Sequence, residues 1–556
     1  MKSSSTEDIK KPAWTDSNGG YKGTLTSKSE EANNASQHSF SDSEKQAFSE
    51  HINICLSHDP LVKDLLPLDV NSMDLFEKSS NGLILCKLIN VAVVDSIDER
   101  ALNVKPDMNI YQKSENQNLA LNAAKAIGCQ VVNIGSQDLI EGRPVLVLGL
   151  LWQIIKIQLL GLISLKNVPE LVLLLQEGEA MASFMKLNPE VILLRWLNYH
   201  LHRAGSKRVV KNFTSDLADS EVYSIVLCRL NPSVCSPILE KDPLERGAHA
   251  ISNAKLLGAN IFIKPKDICD ASKKLNTTFV AQIFNTCHGL SMEELLEENI
   301  QEIEQKMAVL EVDDVGDSRE ERVLRMWINS LNIDNVYVND LFSDSDDGIT
   351  LLKLLDKMSP GSVVWKKINA NPVSRFKKVE NANYVVQIGK AMKFSLVNVG
   401  GIDIVDGNKK VILSIISQMM RRYTLQVLAD LATQNGMADI TEDQIVQWAN
   451  DKVMASGKLT KMRSFKDSSL KNSLFLLELV AAIETRAVSW DLVTAGETKE
   501  DQMLNAKYVI SCARKVGATV FLTPEDVIEV KAKMILTFVA SLWTAELASS
   551  SSKFRA

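Results

Sequence analysis

The stretch Glu115 to Gly142, ENQNLALNAAKAIGCQVVNIGSQDLIEG, returns without a gap as Glu380 to Gly407, ENANYVVQIGKAMKFSLVNVGGIDIVDG. Ten of the 28 positions are identical, and self-similarity at a long fixed offset is the mark of a repeated structural unit. Each copy reads as a helix followed by a loop, with Gly135 and Gly400, Asp138 and Asp403, and a terminal glycine in step. Upstream, NGLILCKLIN (Asn81 to Asn90) matches DGITLLKLLD (Asp347 to Asp356).

A second pair of segments repeats at nearly the same offset. GANIFIKPKDI (Gly258 to Ile268) matches GATVFLTPEDV (Gly517 to Val527), and Thr278-Phe279-Val280-Ala281 matches Thr537-Phe538-Val539-Ala540. The order is A, B, A′, B′. A and B share a plan of an amphipathic first helix, a long middle helix ending near Gly128 or Gly258, a short acidic loop and a closing apolar helix. Four domains are therefore expected at 45–162, 189–290, 318–425 and 441–548. They would be separated by linkers at 163–188 and 426–440 and an acidic hinge at 291–317, between a disordered segment 1–44 and a tail 549–556.

The first helices are legible from their periodicity. Phe48, Ile52, Cys55 and Leu56 form one face, as do Leu193, Trp196, Leu197 and Leu201, then Leu324, Trp327, Ile328 and Leu331, then Ile445, Trp448, Ala449 and Val453. Ser41 with Glu44, Ser318 with Glu321 and Thr441 with Gln444 have the spacing of capping boxes. Pro189 after Asn188 supplies the fourth start. Strand signals are nearly absent, so the fold class is all-α.

Composition narrows the function. A chain of 556 residues exceeds the size of a single core, and 45 % hydrophobic with 24 % charged residues is ordinary for a folded protein. A formal charge of -7 argues against neutralisation of nucleic-acid phosphates across the whole surface. The eight cysteines are scattered through apolar segments without metal-ligand spacing and read as reduced core residues. The start, MKSSSTEDIKKPAW, has no apolar run of a secretory signal. Val145 to Leu165 is apolar enough to suggest a membrane span, yet it carries Gln153, Lys156 and Gln158 near its middle and reads better as a buried helix.

No phosphate-binding glycine loop, zinc-protease motif or nucleophile elbow occurs. Cys287 and His288 are adjacent and would point apart on a helix. The acidic run Ser343 to Gly348 fails as a calcium loop because Leu354 stands where the bidentate glutamate belongs, so it reads as a helix cap. Trp152, Trp196, Trp327, Trp448 and Trp543 read as core. Trp365 and Trp490 lie in looser segments. No cofactor, metal or catalytic group is expected.

The segments NGLILCKLIN, ENQNLALNAAKAIG and VVNIGSQDLIEGRPVLVLGLLWQIIKI, with their second-half counterparts, resemble calponin-homology domains. Four in tandem as two pairs resemble the fimbrin/plastin family, and VDSIDERALN (Val94 to Asn103) strengthens that likeness. The resemblance implies actin-filament binding by each pair and cross-linking by a monomer that is cytoplasmic and cytoskeletal. Members usually carry an N-terminal calcium-binding headpiece; residues 1–44 contain no calcium loop, so calcium control is not expected.

The contacts implied by the resemblance are the helices His51 to Leu65 and Pro144 to Leu160, with Glu321 to Leu331 and Lys409 to Tyr423 in the second half. Gln153, Lys156 and Gln158, then Arg325, Gln418, Arg421 and Arg422, are the candidate contact residues. It also implies that the first and fourth domains meet. The competing reading is a helical scaffold for another cytoskeletal polymer or a signalling partner.

Overall fold

Helices recur in sets of four, and no strand occurs among the described residues. The structure, a computed structural model, describes residues 40–553 apart from 166, 177, 180–183, 185, 186, 239, 292–318 and 435–439. The first domain holds α1 (Asp42–Cys55), α2 (Leu83–Ala92), α3 (Ile110–Ala126) and α4 (Pro144–Leu160). The second holds α5 (Pro189–Arg203), α6 (Glu221–Leu230), α7 (Pro243–Leu256) and α8 (Lys273–Thr286). The third holds α9 (Arg319–Ser330), α10 (Ile349–Met358), α11 (Arg375–Ala391) and α12 (Lys409–Gln434). The fourth holds α13 (Glu442–Ala455), α14 (Leu474–Ile483), α15 (Lys499–Lys515) and α16 (Ala532–Lys553).

Three local devices repeat. The first is an asparagine near the end of each opening helix. Asn53, Asn198, Asn329 and Asn450 each donate through Nδ2 to a carbonyl and accept the amide of the same residue through Oδ1. The partners are Leu68, Val210, Val338 and Met462, all buried apolar residues that anchor the following loop. One side-chain amide thus satisfies both polar groups of a buried residue that lies in no helix or strand.

The second device starts the second helix. Gly82, Ser220, Gly348 and Ser473 all adopt positive φ. The residue before each, Asn81, Asp219, Asp347 or Asn472, accepts the amide N–H two positions on. At Gly82 a Cβ would meet the Asn116 Cβ at 2.7 Å, so glycine is required there. Asn116, Asn381 and Asn505 on the third helices reach back to the carbonyls of Asn81, Asp347 and Asn472. In the second domain Arg246 takes that place, its Nε donating to the Asp219 carbonyl at 2.7 Å. The acidic run at 343–347 is absorbed in the same way, since Asp344 accepts the Asn339 and Asp340 amides and Asp347 caps α10.

The third device is a ring two residues before each clamping asparagine. Trp196 Nε1 donates to the His288 carbonyl at 2.7 Å, Trp448 Nε1 to Glu546 Oε2 at 3.1 Å, and Trp327 meets Tyr423 edge-on. In the first domain this position is His51, whose Nε2 lies 2.8 Å from Gln158 Oε1 and whose ring meets Phe262 of the second domain. The side chain is 4 % exposed, and burial pulls its pKa down to about 4, the Gln158 hydrogen bond opposing this in part.

The pattern of apolar residues explains how the domains stack. Val147, Leu148, Leu150, Leu151, Ile154 and Ile155 of α4 are all buried, because α4 packs on α1 and α2 on one side and on α8 of the second domain on the other. The run that resembles a membrane span is thus a helix with two buried faces, and no described helix is long and apolar enough to cross a membrane. The pairing of α12 with α16 repeats this contact in the second half.

Several expected boundaries differ. The first helix begins at Asp42, inside the segment expected to be disordered, while residues 1–39 lie outside the described residues, as do 292–318 of the acidic hinge, including the Ser318 cap. The described residues of the linker expected at 163–188 include buried Leu171, Val172, Leu174 and Phe184, and Glu179 pairs with Arg195 at 2.5 Å. The linker expected at 426–440 is helical through Gln434. Buried Leu428 and Ala432 continue the apolar stripe of α12, where Gly161 terminates α4. The tail expected at 549–556 is helical through Lys553.

Two measurements follow from these devices. Asn329→Ala strands the N–H and C=O of buried Val338, a loss of about 3 kcal/mol; an earlier urea transition is expected, and an unshifted one contradicts the clamp. For His51 the folded pKa lies below the unfolded 6.5. Its contribution is therefore complete above that value and is lost as pH falls toward 4, by up to about 3 kcal/mol. The full chain should lose more stability between pH 7 and 4.5 than the His51→Phe variant does, and parallel pH profiles would contradict this.

Candidate functional site

The seven candidate contact residues comprise two matched pairs and three single residues. Gln153 and Gln418 occupy matching places in the two halves. Each accepts an amide through Oε1 at 2.7 Å and donates through Nε2 to the carbonyl of the same residue, Gln130 or Ser395. They fasten the loop after the third helix to the closing helix. Gln158 is spent on His51 and on Cys55 Sγ.

Lys156 and Arg421 also match, and both cross a domain boundary. Lys156 Nζ lies 2.5 Å from Glu190 at the start of α5, and Arg421 pairs with Glu442 at the start of α13. Each carboxylate sits in the first turn of its helix, where the helix dipole also favours it. Arg325 donates to the Asn339 carbonyl at 2.8 Å. Arg422 alone among the seven is classed as exposed, with one long contact to the Met392 carbonyl at 3.4 Å. Apart from Arg422 and Arg325, the candidate residues lie on closing helices whose apolar neighbours are buried on two sides, and they join loops and domains, with Lys156 and Arg421 still 32 % and 35 % exposed.

The surface of the first domain is further committed by the fourth. Helix α15 packs on α3, and Asn122 donates to the Arg514 carbonyl at 3.0 Å while accepting from Thr519 at 2.8 Å. Arg100 donates to the carbonyls of Leu492 and Leu504, and its guanidinium stands 5.0 Å over the Tyr508 ring. Asp98, which grips Arg100, raises the guanidinium pKa. Glu115 faces Arg486 at 3.4 Å and Lys515 at 3.7 Å, and Arg486 covers Tyr111. Arg514 is 6 % exposed and bonded to the Ser96 and Val520 carbonyls, and burial lowers its pKa to about 10. The first and fourth domains therefore meet, as expected. Helix α9 of the third domain also packs on α3, with Gly128 against Met326, so one side of the expected contact helix Glu321 to Leu331 is covered.

The matching face of the third domain is open. Trp365 stands where the first domain has Arg100, and Phe376 where it has Tyr111. Phe376 is 73 % exposed, beside exposed Val373 and the basic residues Lys366, Lys367 and Lys377. Arg375 bridges to Asp406, just before α12, whose first residues Lys409 and Lys410 are exposed and extend the basic stripe. Sequence reading passed over this face because self-comparison favours what the repeats share, and Lys366, Lys367, Arg375 and Lys377 match Ala101, Leu102, Ile110 and Gln112 of the first domain. The signal was WKKINANPVSRFKK, five basic residues and two aromatics without an acid.

Among the described residues no group of three or more His, Cys, Asp and Glu is placed to hold a metal ion. All eight cysteines are free, and burial raises the Cys129 and Cys512 thiols to about 12. The open clefts are shallow grooves on α13 lined by Asp443, Asn450, Asp451 and Lys461 or by Trp448 and Trp543.

Residues 42–159, 187–289, 318–425 and 439–547 match the calponin homology (CH) domain. The chain is 47 % identical over 521 residues to Fimbrin-3 of Arabidopsis thaliana, spanning 93 % of this chain and 72 % of that one. It is 44 % identical to Fimbrin of Saccharomyces cerevisiae, over 91 % and 79 % of the two chains, and 42 % identical to Plastin-3 of Homo sapiens, over 92 % and 81 %. The crystal structure of the actin-crosslinking core of Schizosaccharomyces pombe fimbrin matches with a TM-score of 0.74 at 36 % identity, covering 91 % of this chain and all of that one. With four calponin-homology domains in this order and relatives matched along nine tenths of its length, the chain belongs to the fimbrin/plastin family.

Proposed function

We propose that the chain binds actin filaments through each of its two domain pairs and so cross-links them. The observation that carries this reading is the duplication of the whole pair, down to the Lys156–Glu190 and Arg421–Glu442 bridges that fix how each second domain sits on its first. Two grips on one rigid chain raise the effective concentration of the second binding event without any new contact. The resemblance to a structure described as an actin-crosslinking core supports the identity of the polymer.

The two grips are unequal in this arrangement. The third domain offers an open basic and aromatic face next to Lys409 and Lys410, suited to an acidic filament surface. The matching face of the first domain is held by the fourth. Filament binding begins with the second half, and full use of the first half follows release of α15 from α3. The chain acts as a monomer at the cytoskeleton, since both grips lie within it, and it works by binding rather than catalysis. Arg422, on the outer side of α12, is the candidate contact residue best placed to touch the filament.

Low-speed sedimentation tests cross-linking. The whole chain should bring down filaments at low force, and Lys409→Glu with Lys410→Glu should abolish this and also sharply reduce high-speed co-sedimentation, because the first half stays clasped by the fourth domain. Retention of full bundling in the double variant would contradict the role of the second half. Arg486→Glu places a carboxylate against Glu115 and should raise the radius of gyration in small-angle scattering together with first-half binding; a chain that stays closed would contradict the clasp.

A further inference from the structure

The fourth domain carries a feature that its repeat partners lack. Leu459 is 92 % exposed, the most exposed large apolar side chain among the described residues. It stands at the tip of the irregular stretch after α13, GKLTKMRSFK, between Lys458 and Lys461 and followed by Arg463 and Lys466. Lys458 Nζ lies 5.0 Å over the half-exposed Trp490 ring, and Lys461 shares a shallow groove with Met454, which is 53 % exposed. From Met454 to Lys471 there are five basic residues and one acid, Asp467. That carboxylate is taken by the Arg463 and Ser469 amides.

The corresponding loops of the first and third domains are built the other way. They carry Asp59 and Asp64, or Asp334 and Asp340, and they bury Val62 and Val336. The second domain has basic residues and an exposed Val209, but its Arg208 is neutralised by Asp219 at 2.6 Å and Glu221 at 2.5 Å. In the fourth domain no ion pair among the described residues holds Lys458, Lys461, Arg463 or Lys466.

We infer that this loop docks on the surface of a bilayer rich in anionic headgroups, with Leu459 entering the headgroup boundary and the lysines around it meeting the negative surface. Three features select a bilayer over a protein acid patch. Four of the five basic residues are lysines, compact point charges suited to a diffuse negative surface, whereas paired carboxylates are better met by the arginine fork. The apolar residue projects from a loop tip, outside the shallow groove that Met454 and Lys461 line. Met454 and Trp490 flank it, giving the mixed apolar and basic composition of interfacial segments. The nearby acids are Asp443 and Asp451 on α13, which line the groove with Lys461, Glu478, which accepts from Thr460, and Asp491, next to Trp490 in the chain. The chain would thereby hold a bundle against a membrane while its filament faces stay on other domains.

The test uses the full chain and vesicles of phosphatidylcholine alone or mixed with phosphatidylserine, separated by flotation. Binding is expected to the mixed vesicles only. It should weaken about fivefold for each of Lys458→Gln and Lys461→Gln, and about tenfold for Leu459→Ser. All three side chains are exposed, so an unchanged urea transition should accompany each loss. Equal binding to both vesicle types, no binding to either, or variants that bind like the parent would each overturn the inference. So would a matching loss of filament co-sedimentation in these variants, because the loop would then be a filament contact.

Discussion

The whole architecture depends on a side-chain amide doing the work of a missing strand. Each domain must run an irregular segment through its interior to connect the first helix to the second, and a buried backbone outside regular structure has no ladder to satisfy its polar groups. Asn53, Asn198, Asn329 and Asn450 supply that ladder one residue at a time. Once the segment is anchored, the second helix can start at its left-handed residue and the third can lock it from behind. The same four-point solution recurs in domains whose overall sequence likeness is faint, which is what a physical requirement, as opposed to a surface preference, leaves behind.

Most of the fold could be read from periodicity because the helices bury one face at a time, and the repeat supplied the register. The exceptions share a cause. Helix α12 continues past its expected end because Leu428 and Ala432 serve an interface with another part of the chain, and interface burial cannot be told from loop burial in a single sequence. The strap at 163–188 looked like a linker for the same reason: Leu171 and Phe184 are apolar, but their spacing follows no helix. His51 was legible only in retrospect. It occupies the place of three tryptophans, and the Asn two residues on was the available signal.

The site was less legible than the fold, and the reason is specific. Gln153, Lys156, Gln158, Gln418 and Arg421 were chosen as polar residues interrupting apolar helices, which implies solvent exposure on a helix with one buried face. On a helix packed on two sides the same residues also have partners within the chain, and Lys156 and Arg421 keep 32 % and 35 % of their side-chain surface exposed. Lys156 found Glu190 and Arg421 found its counterpart Glu442, an agreement between halves that follows from the duplication itself. The exposed basic stripe of the third domain escaped notice because it has no repeat partner, and self-comparison sees only what is shared.

What the halves do not share is therefore where their functions separate. On α3 of the first domain, Glu115, Asn122 and the neighbouring Arg100 are complementary to Arg486, Arg514 and Tyr508 of the fourth, and several of these charges are withdrawn from water. Buried charges of this kind add little net stability but are costly to leave unpaired, so they favour one alignment strongly over its neighbours. The third domain, with Trp365 and Phe376 at the equivalent places, has no such partner among the described residues, and Phe376 is 73 % exposed. Of the two matching surfaces, the one on the first domain is thus committed to holding the fourth domain. In the proposed cross-linking, the cost of breaking that hold sets the threshold at which the second filament can be gripped.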